Sequence, residues 1–139
     1  MKTAVIYWSG TGNTEQMASA IAEGAGAELF TISKFNGDIA AYDRIAFGCP
    51  AMGDEVLEES DFEPFFSDVE GSLNGKTIAL FGSYGWGNGQ WMRDWEERVK
   101  ADGAVIVNGV GLIVNETPSD DDQELCKSLG AKLAESNYI

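Results

Sequence analysis

The sequence contains no histidine, only two cysteines and three prolines, and 9 basic residues against 23 acidic ones. Each shortage excludes something. Without histidine, imidazole acid–base catalysis and His-ligated metal centres are ruled out. A net charge of −14 disfavours nucleic acid and anionic membrane surfaces as partners and favours a basic protein. No apolar run reaches transmembrane length, and Met1-Lys2 leads straight into a strand pattern rather than a signal peptide, so no membrane is expected. Cys49 and Cys126 are far apart in apolar surroundings, which suits two reduced, buried thiols in a cytoplasmic protein. The 139 residues suffice for one domain, expected to span 1–139.

The chain is organised around Ser9-Gly10-Thr11-Gly12-Asn13-Thr14. This loop follows the apolar run Ala4-Val5-Ile6-Tyr7-Trp8 and precedes a helical pattern carrying Met17, Ala18, Ile21, Ala22 and Ala25 on one face. A strand–loop–helix of this kind gathers N–H groups at a helix N-terminus, where the dipole favours an anion, above all phosphate. A Walker A loop is excluded because no lysine occurs between Lys2 and Lys34. Gly10-Thr11-Gly12 also lacks the third glycine of a dinucleotide fingerprint, since Glu15 stands there. A cysteine-based phosphatase loop fails for want of cysteine and arginine. What remains is a set of neutral donors suited to one terminal phosphate, or else a plain glycine-rich turn.

Further strands are read at Glu28–Ile32, Arg44–Cys49, Lys76–Phe81 and, as one unbroken fifth strand, Ala104–Val114. Ser33 to Tyr42 is a polar connection with room for one helical turn. Ser60 and Glu63 resemble a capping box ahead of Phe62, Phe65, Phe66 and Val69. Trp91, Met92, Trp95 and Val99 form the buried face of the next helix, which Gly103 closes. Thr117-Pro118 opens the last helix, with Leu125, Cys126, Leu129 and Leu133 facing inward. Asp120-Asp121-Asp122 is read as helix-dipole partners rather than a metal site. Alternating strands and helices predict an α/β fold: a single doubly wound five-stranded parallel sheet in the order 2-1-3-4-5, with helices on both faces. Ligands then bind beyond the carboxyl ends of the strands, at the switch point beside strand 1.

The loops after strands 1, 3 and 4 are therefore expected to meet. They carry the 9–14 loop, Met52 with a flexible Gly53, and the glycine-rich Gly82–Gly89, in which Trp86 stands between Gly85 and Gly87. Trp86 is either a core or interface residue or a wall for a flat ring, where offset stacking adds roughly 0.5–1.5 kcal/mol. A phosphate at one end and a flat ring at the other describe a flavin mononucleotide. The motifs Tyr7-Trp8-Ser9-Gly10-Thr11-Gly12-Asn13-Thr14, Ala51-Met52-Gly53-Asp54-Glu55 and Phe81-Gly82-Ser83-Tyr84-Gly85-Trp86-Gly87 resemble the flavodoxins, specifically the short-chain kind of clostridia and their relatives. The resemblance covers nearly the whole chain, and the unbroken fifth strand assigns it to the short-chain group.

That resemblance implies a low-potential one-electron carrier, not an enzyme, with non-covalent FMN shuttling between semiquinone and hydroquinone. Ser9, Thr11, Asn13 and Thr14 would bind the FMN phosphate, with Ser83 adding a hydroxyl and Trp8 and Gly12 counted among the cofactor-binding residues. Ala51 and Met52 would lie on one face of the ring and Trp86 on the other. Glu55 would accept from flavin N3–H, and backbone groups of Tyr84, Gly85 and Gly87 would meet the pyrimidine edge. The Gly53–Asp54 peptide would turn its carbonyl toward flavin N5. Pro50 stands where some relatives have serine, so no polar role is assigned to it. Residues 54–70 hold eight acids and no base, a patch expected to disfavour a reduced anion and to steer redox partner proteins. A monomer is expected. The rival on the same fold is an FMN-dependent quinone or NAD(P)H reductase. A phosphorylation-dependent signalling domain is excluded because Trp8-Ser9 and Cys49-Pro50 occupy the strand ends where it needs acids.

Overall fold

In the computed structural model, which describes residues 2–135, the ends of the expected 1–139 domain lie outside the described residues. Apolar runs buried on both faces build the interior of the sheet: β1 (Thr3–Tyr7), β3 (Arg44–Gly48) and β4 (Thr77–Tyr84). β2 (Glu28–Thr31) lies at one edge. The other edge position is filled by two segments, β5 (Val105–Ile106) and β6 (Leu112–Asn115). The order is β2-β1-β3-β4-β5 with β6 also on β4, and every pairing is parallel. The predicted topology is therefore present.

The fifth strand is not unbroken. Ile78 pairs with Ile106 and Phe81 with Leu112, so two residues of β4 face five on the adjacent edge segment. The surplus bulges outward through Asn108 (φ 64) and Gly109 (φ 77). An Asn-Gly pair favours left-handed turn geometry and breaks the strand there. β4 in turn runs three residues beyond its expected end, so Gly82, Ser83 and Tyr84 belong to the strand and not to the loop after it.

Helices α1 (Asn13–Ala25) and α4 (Asp120–Ala134) cover one face with Met17, Ile21, Cys126 and Leu129. Helices α2 (Phe62–Val69) and α3 (Gln90–Ala101) cover the other with Phe62, Phe66, Trp91 and Trp95. Leu125, expected inside, is 55% exposed. The last helix starts two residues later than predicted: Ser119 Oγ accepts from Asp122 N–H (3.1 Å), and Asp122 Oδ2 accepts from Ser119 N–H (2.9 Å). That capping box gives the acidic triplet its structural role. No group of three or more acids or cysteines among the described residues is arranged to hold a metal ion. Nor is any described helix long and apolar enough to cross a membrane.

The expected Ser60–Glu63 capping box does not form. Glu58 takes its place, accepting backbone N–H bonds from Ser60 (2.9 Å), Asp61 (2.8 Å) and Phe62 (2.8 Å). Glu63 pairs instead with Arg98, which also holds Glu70, both at 2.7 Å, and so ties α3 to α2.

Asp102 at the end of that seam has Oδ2 buried without a hydrogen-bond partner. Burial pushes its carboxyl up to about 6, and Glu70 pushes the same way against the opposing pull of Arg98. Folding thus raises this group above its ordinary 3.8, and stability declines as pH rises between those two values. Asp102→Asn should be neutral near pH 3.5 and stabilising by roughly 1–2 kcal/mol at pH 7, after allowance for screening. Urea midpoints at the two pH values check this.

Candidate functional site

The carboxyl ends of β1, β3 and β4 surround a cleft of about 200 Å³. Trp8, Thr11 and Asn13 enter it from the first loop, Ala51 and Met52 from the loop after β3, and Ser83, Tyr84 and Gly85 from the end of β4. Three separated stretches of sequence thus converge at the switch point, as the topology requires. Gly10, Pro50 and Glu116 complete the lining, which contains no cation. A larger cleft, about 500 Å³, opens on the other side of Trp8 toward β2. It holds two carboxylates, Glu15 and Asp61, and none of the residues from the second and third loops.

In the first loop, Gly12 has φ 99 and turns the chain into α1 without a side-chain cap of its own. Ser9 Oγ supplies the acceptor instead, taking N–H bonds from Gly12 and Glu15, each 3.2 Å. Its hydroxyl proton is left to donate elsewhere. Thr14 and Ser83 are buried, with their hydroxyls 3.0 Å apart, and Ser83 N–H donates to Thr14 Oγ1 (3.3 Å). The two hydroxyls share one bond between them, so one O–H remains for a third group. Ser83 lines the cleft and Thr14 stands behind it. Thr14 therefore joins the site through Ser83.

The loop after β3 is pinned at both ends. Met52 and Val56 exchange two backbone hydrogen bonds (2.8 and 3.0 Å), closing a tight loop over Gly53, Asp54 and Glu55. Gly53 sits at φ 52 with open space where a Cβ would be, so conformation and not crowding requires glycine. Glu55, also left-handed at φ 57, reaches across to the next loop. Its Oε1 accepts N–H bonds from Asn88 (3.1 Å), Gly89 (3.1 Å) and Gln90 (3.3 Å), capping α3 from outside. A Cβ on Gly87 would collide with this carboxylate, so the third loop is shaped around Glu55. Met52, which lines the cleft, is 39% exposed, and Trp86 is 63% exposed. Trp86 is therefore no core residue.

Of the residues expected at the site, Gly53, Asp54, Glu55, Trp86 and Gly87 do not line the cleft, nor do Ser9, Gly12 and Thr14. Sequence reasoning missed Glu116, whose chance of detection lay in the rule that every strand end at a switch point contributes a loop. It sits at φ 58 just after β6, its N–H bonded to Tyr84 O (2.8 Å).

A family model described as flavodoxin matches residues 5–130. The chain is 48% identical to a flavodoxin of Clostridium beijerinckii over 136 residues, spanning 94% of this chain and 97% of that one. With a flavodoxin of Megasphaera elsdenii the identity is 47% over 138 residues, spanning 95% and 98%. The fold superposes on the solution structure of two-electron reduced Megasphaera elsdenii flavodoxin with a TM-score of 0.82 and 46% identity, over 95% and 98% of the two chains. A flavodoxin from the domain Archaea gives a TM-score of 0.84 at 28% identity, over 96% of each.

Proposed function

This chain belongs to the flavodoxin family, and we propose that it carries single electrons to redox partner proteins on a non-covalently bound FMN. The observation that carries the reading is the convergence of Thr11, Asn13 and Ser83 with Met52 in one cation-free cleft. The donor set fits a terminal phosphate: neutral hydroxyls, an amide and the first N–H groups of α1. A cleft of about 200 Å³ is too small for a whole mononucleotide. The ring then lies outside it, where Met52 and Trp86 leave apolar surface uncovered.

Bound FMN supplies one-electron chemistry, and the chain's residues hold and tune it. Trp8, Ser9, Thr11, Gly12, Asn13, Thr14 and Ser83 hold the phosphate end. Met52 would cover one ring face and Trp86 the other, with backbone groups near Gly85 to Gly87 at the pyrimidine edge and Ala51 and Tyr84 completing the site. Glu55 would accept from ring N3–H with an oxygen of the same carboxylate that caps α3. The Gly53–Asp54 carbonyl would be the group placed to accept from the ring, since glycine can turn this peptide without a Cβ penalty.

Of the eight acids at 54–70, Asp54, Glu59, Asp61 and Asp68 are exposed; Glu55 and Glu58 cap helices, and Glu63 and Glu70 pair with Arg98. Arg98 sets a single positive charge against these eight acids, and the four exposed ones are those a partner meets directly. Basic partners approach these acids at rates that fall with salt. The carrier works as a monomer in the cytoplasm, where the buried thiols of Cys49 and Cys126 stay reduced.

A redox titration of the purified flavoprotein should resolve two separate one-electron steps, with no turnover of NAD(P)H with quinones. A single two-electron step with such turnover would make it a reductase. Trp86→Ala should weaken FMN several-fold, about 1 kcal/mol, and raise flavin emission through loss of the quenching indole. Unchanged affinity and emission would remove Trp86 from the ring face.

A further inference from the structure

The structure assigns Thr117, in the loop between β6 and α4, as the residue that orients the Asn13 amide toward the bound phosphate; this rests on residues 9–14 holding FMN. Thr117 Oγ1 donates to Asn13 Oδ1 at 3.2 Å, across 104 residues of sequence. The loop bearing Thr117 is fixed on both sides. Before it, Glu116 N–H and Asn115 Nδ2 both donate to Tyr84 O, at 2.8 and 3.2 Å. After it comes buried Pro118, then the Ser119 capping box of α4. Thr117 thus presents its hydroxyl from a set position.

An asparagine amide has nearly the same shape in both orientations, and its partners decide which end faces a ligand. Asn13 lines the cleft as the first residue of α1. With Oδ1 engaged by Thr117, Nδ2 and its two N–H groups remain for the anion. The reversed amide would set Oδ1 against phosphate oxygens, acceptor against acceptor. Thr117 holds the far end of the amide, and an anion in the cleft then selects the orientation that turns Nδ2 toward it; Thr117 acts without touching the phosphate, so it is a positioning residue.

The test compares FMN with riboflavin, which lacks the phosphate, by fluorescence titration of flavin-stripped protein. Thr117→Val keeps the side-chain shape and removes the donor. It should weaken FMN five- to tenfold and riboflavin less than twofold, with an unchanged urea midpoint, and Thr117→Ser should restore FMN affinity. Asn13→Ala, run in parallel, should also lower the FMN-to-riboflavin preference. If Asn13→Ala lowers it and Thr117→Val does not, Thr117 has no positioning role. Equal loss of both ligands in Thr117→Val overturns the inference too, since it marks a general effect of the loop. If Asn13→Ala leaves the preference intact, the cradle reading itself fails and the inference falls with it.

Discussion

FAD should bind this protein at least a hundredfold more weakly than FMN. The cleft beside α1 offers hydroxyl, amide and backbone N–H donors and no cation, so its affinity for phosphate comes from charge-assisted hydrogen bonds at a helix N-terminus. A terminal phosphate presents three oxygens and close to two charges to these donors. The phosphate linked to ribityl in FAD has lost one of those oxygens to the diphosphate bridge, along with about half its charge. It must also lead a bulky adenylate out of a cleft of about 200 Å³. Hydrogen bonds to charged groups contribute about 1.5–3 kcal/mol each, so losing two costs roughly 3–6 kcal/mol. That corresponds to a preference on the order of 10²–10⁴. Titration of flavin-stripped protein with each cofactor measures it directly, and comparable dissociation constants would remove the phosphate from residues 9–14.

Glu58→Ala should cost about 2–4 kcal/mol of stability, more than any surface change near the site. Glu58 is 8% exposed, and its carboxylate gathers the N–H groups of Ser60, Asp61 and Phe62 at the start of α2. Truncation strands the buried Phe62 donor, worth about 1–3 kcal/mol, and removes a helix cap, worth about 0.5–2. Glu58→Gln keeps an acceptor oxygen and should recover part of the loss. Burial by itself would raise this carboxyl, but the three N–H bonds outweigh it and hold the group below its ordinary range. A folded value below the unfolded 4.5 means that the contribution is present above that pH and fades as pH falls through the folded value. Wild type and Glu58→Gln should therefore differ at pH 7 and converge in acid. Urea midpoints at constant m-value test both statements, and equal stability at pH 7 would show that the carboxylate is not what holds the turn.

The sequence displayed the strand order and the meeting of three loops because apolar runs and glycine clusters are local signals, and right-handed crossovers leave few ways to connect them. Trp86 was legible for a similar reason: flanking glycines give an indole nothing local to pack on. Contacts spanning long separations were not legible. Glu55 caps a helix that begins 35 residues later, and no periodicity marks that bond. The Glu58 cap was hidden because Ser60 and Glu63 satisfy the local pattern, while Arg98, 35 residues on, draws Glu63 away. The break in the fifth strand is a different case. Asn108-Gly109 announced it, but an apolar stretch on either side outweighed two turn residues in the reading.

That break also bears on how molecules of this protein avoid one another in concentrated solution. The outer rim of a parallel sheet carries unpaired N–H and C=O groups that invite a strand from a neighbouring molecule, the first step of edge-to-edge aggregation. Here one rim is the four-residue β2, and the other is cut into segments of two and four residues by an outward kink. Neither offers a straight run long enough to template an incoming strand. Closing the kink by deleting Asn108, Gly109 and Val110 would extend the regular edge and expose a longer template, at a place where Val105 already stands 43% open to solvent.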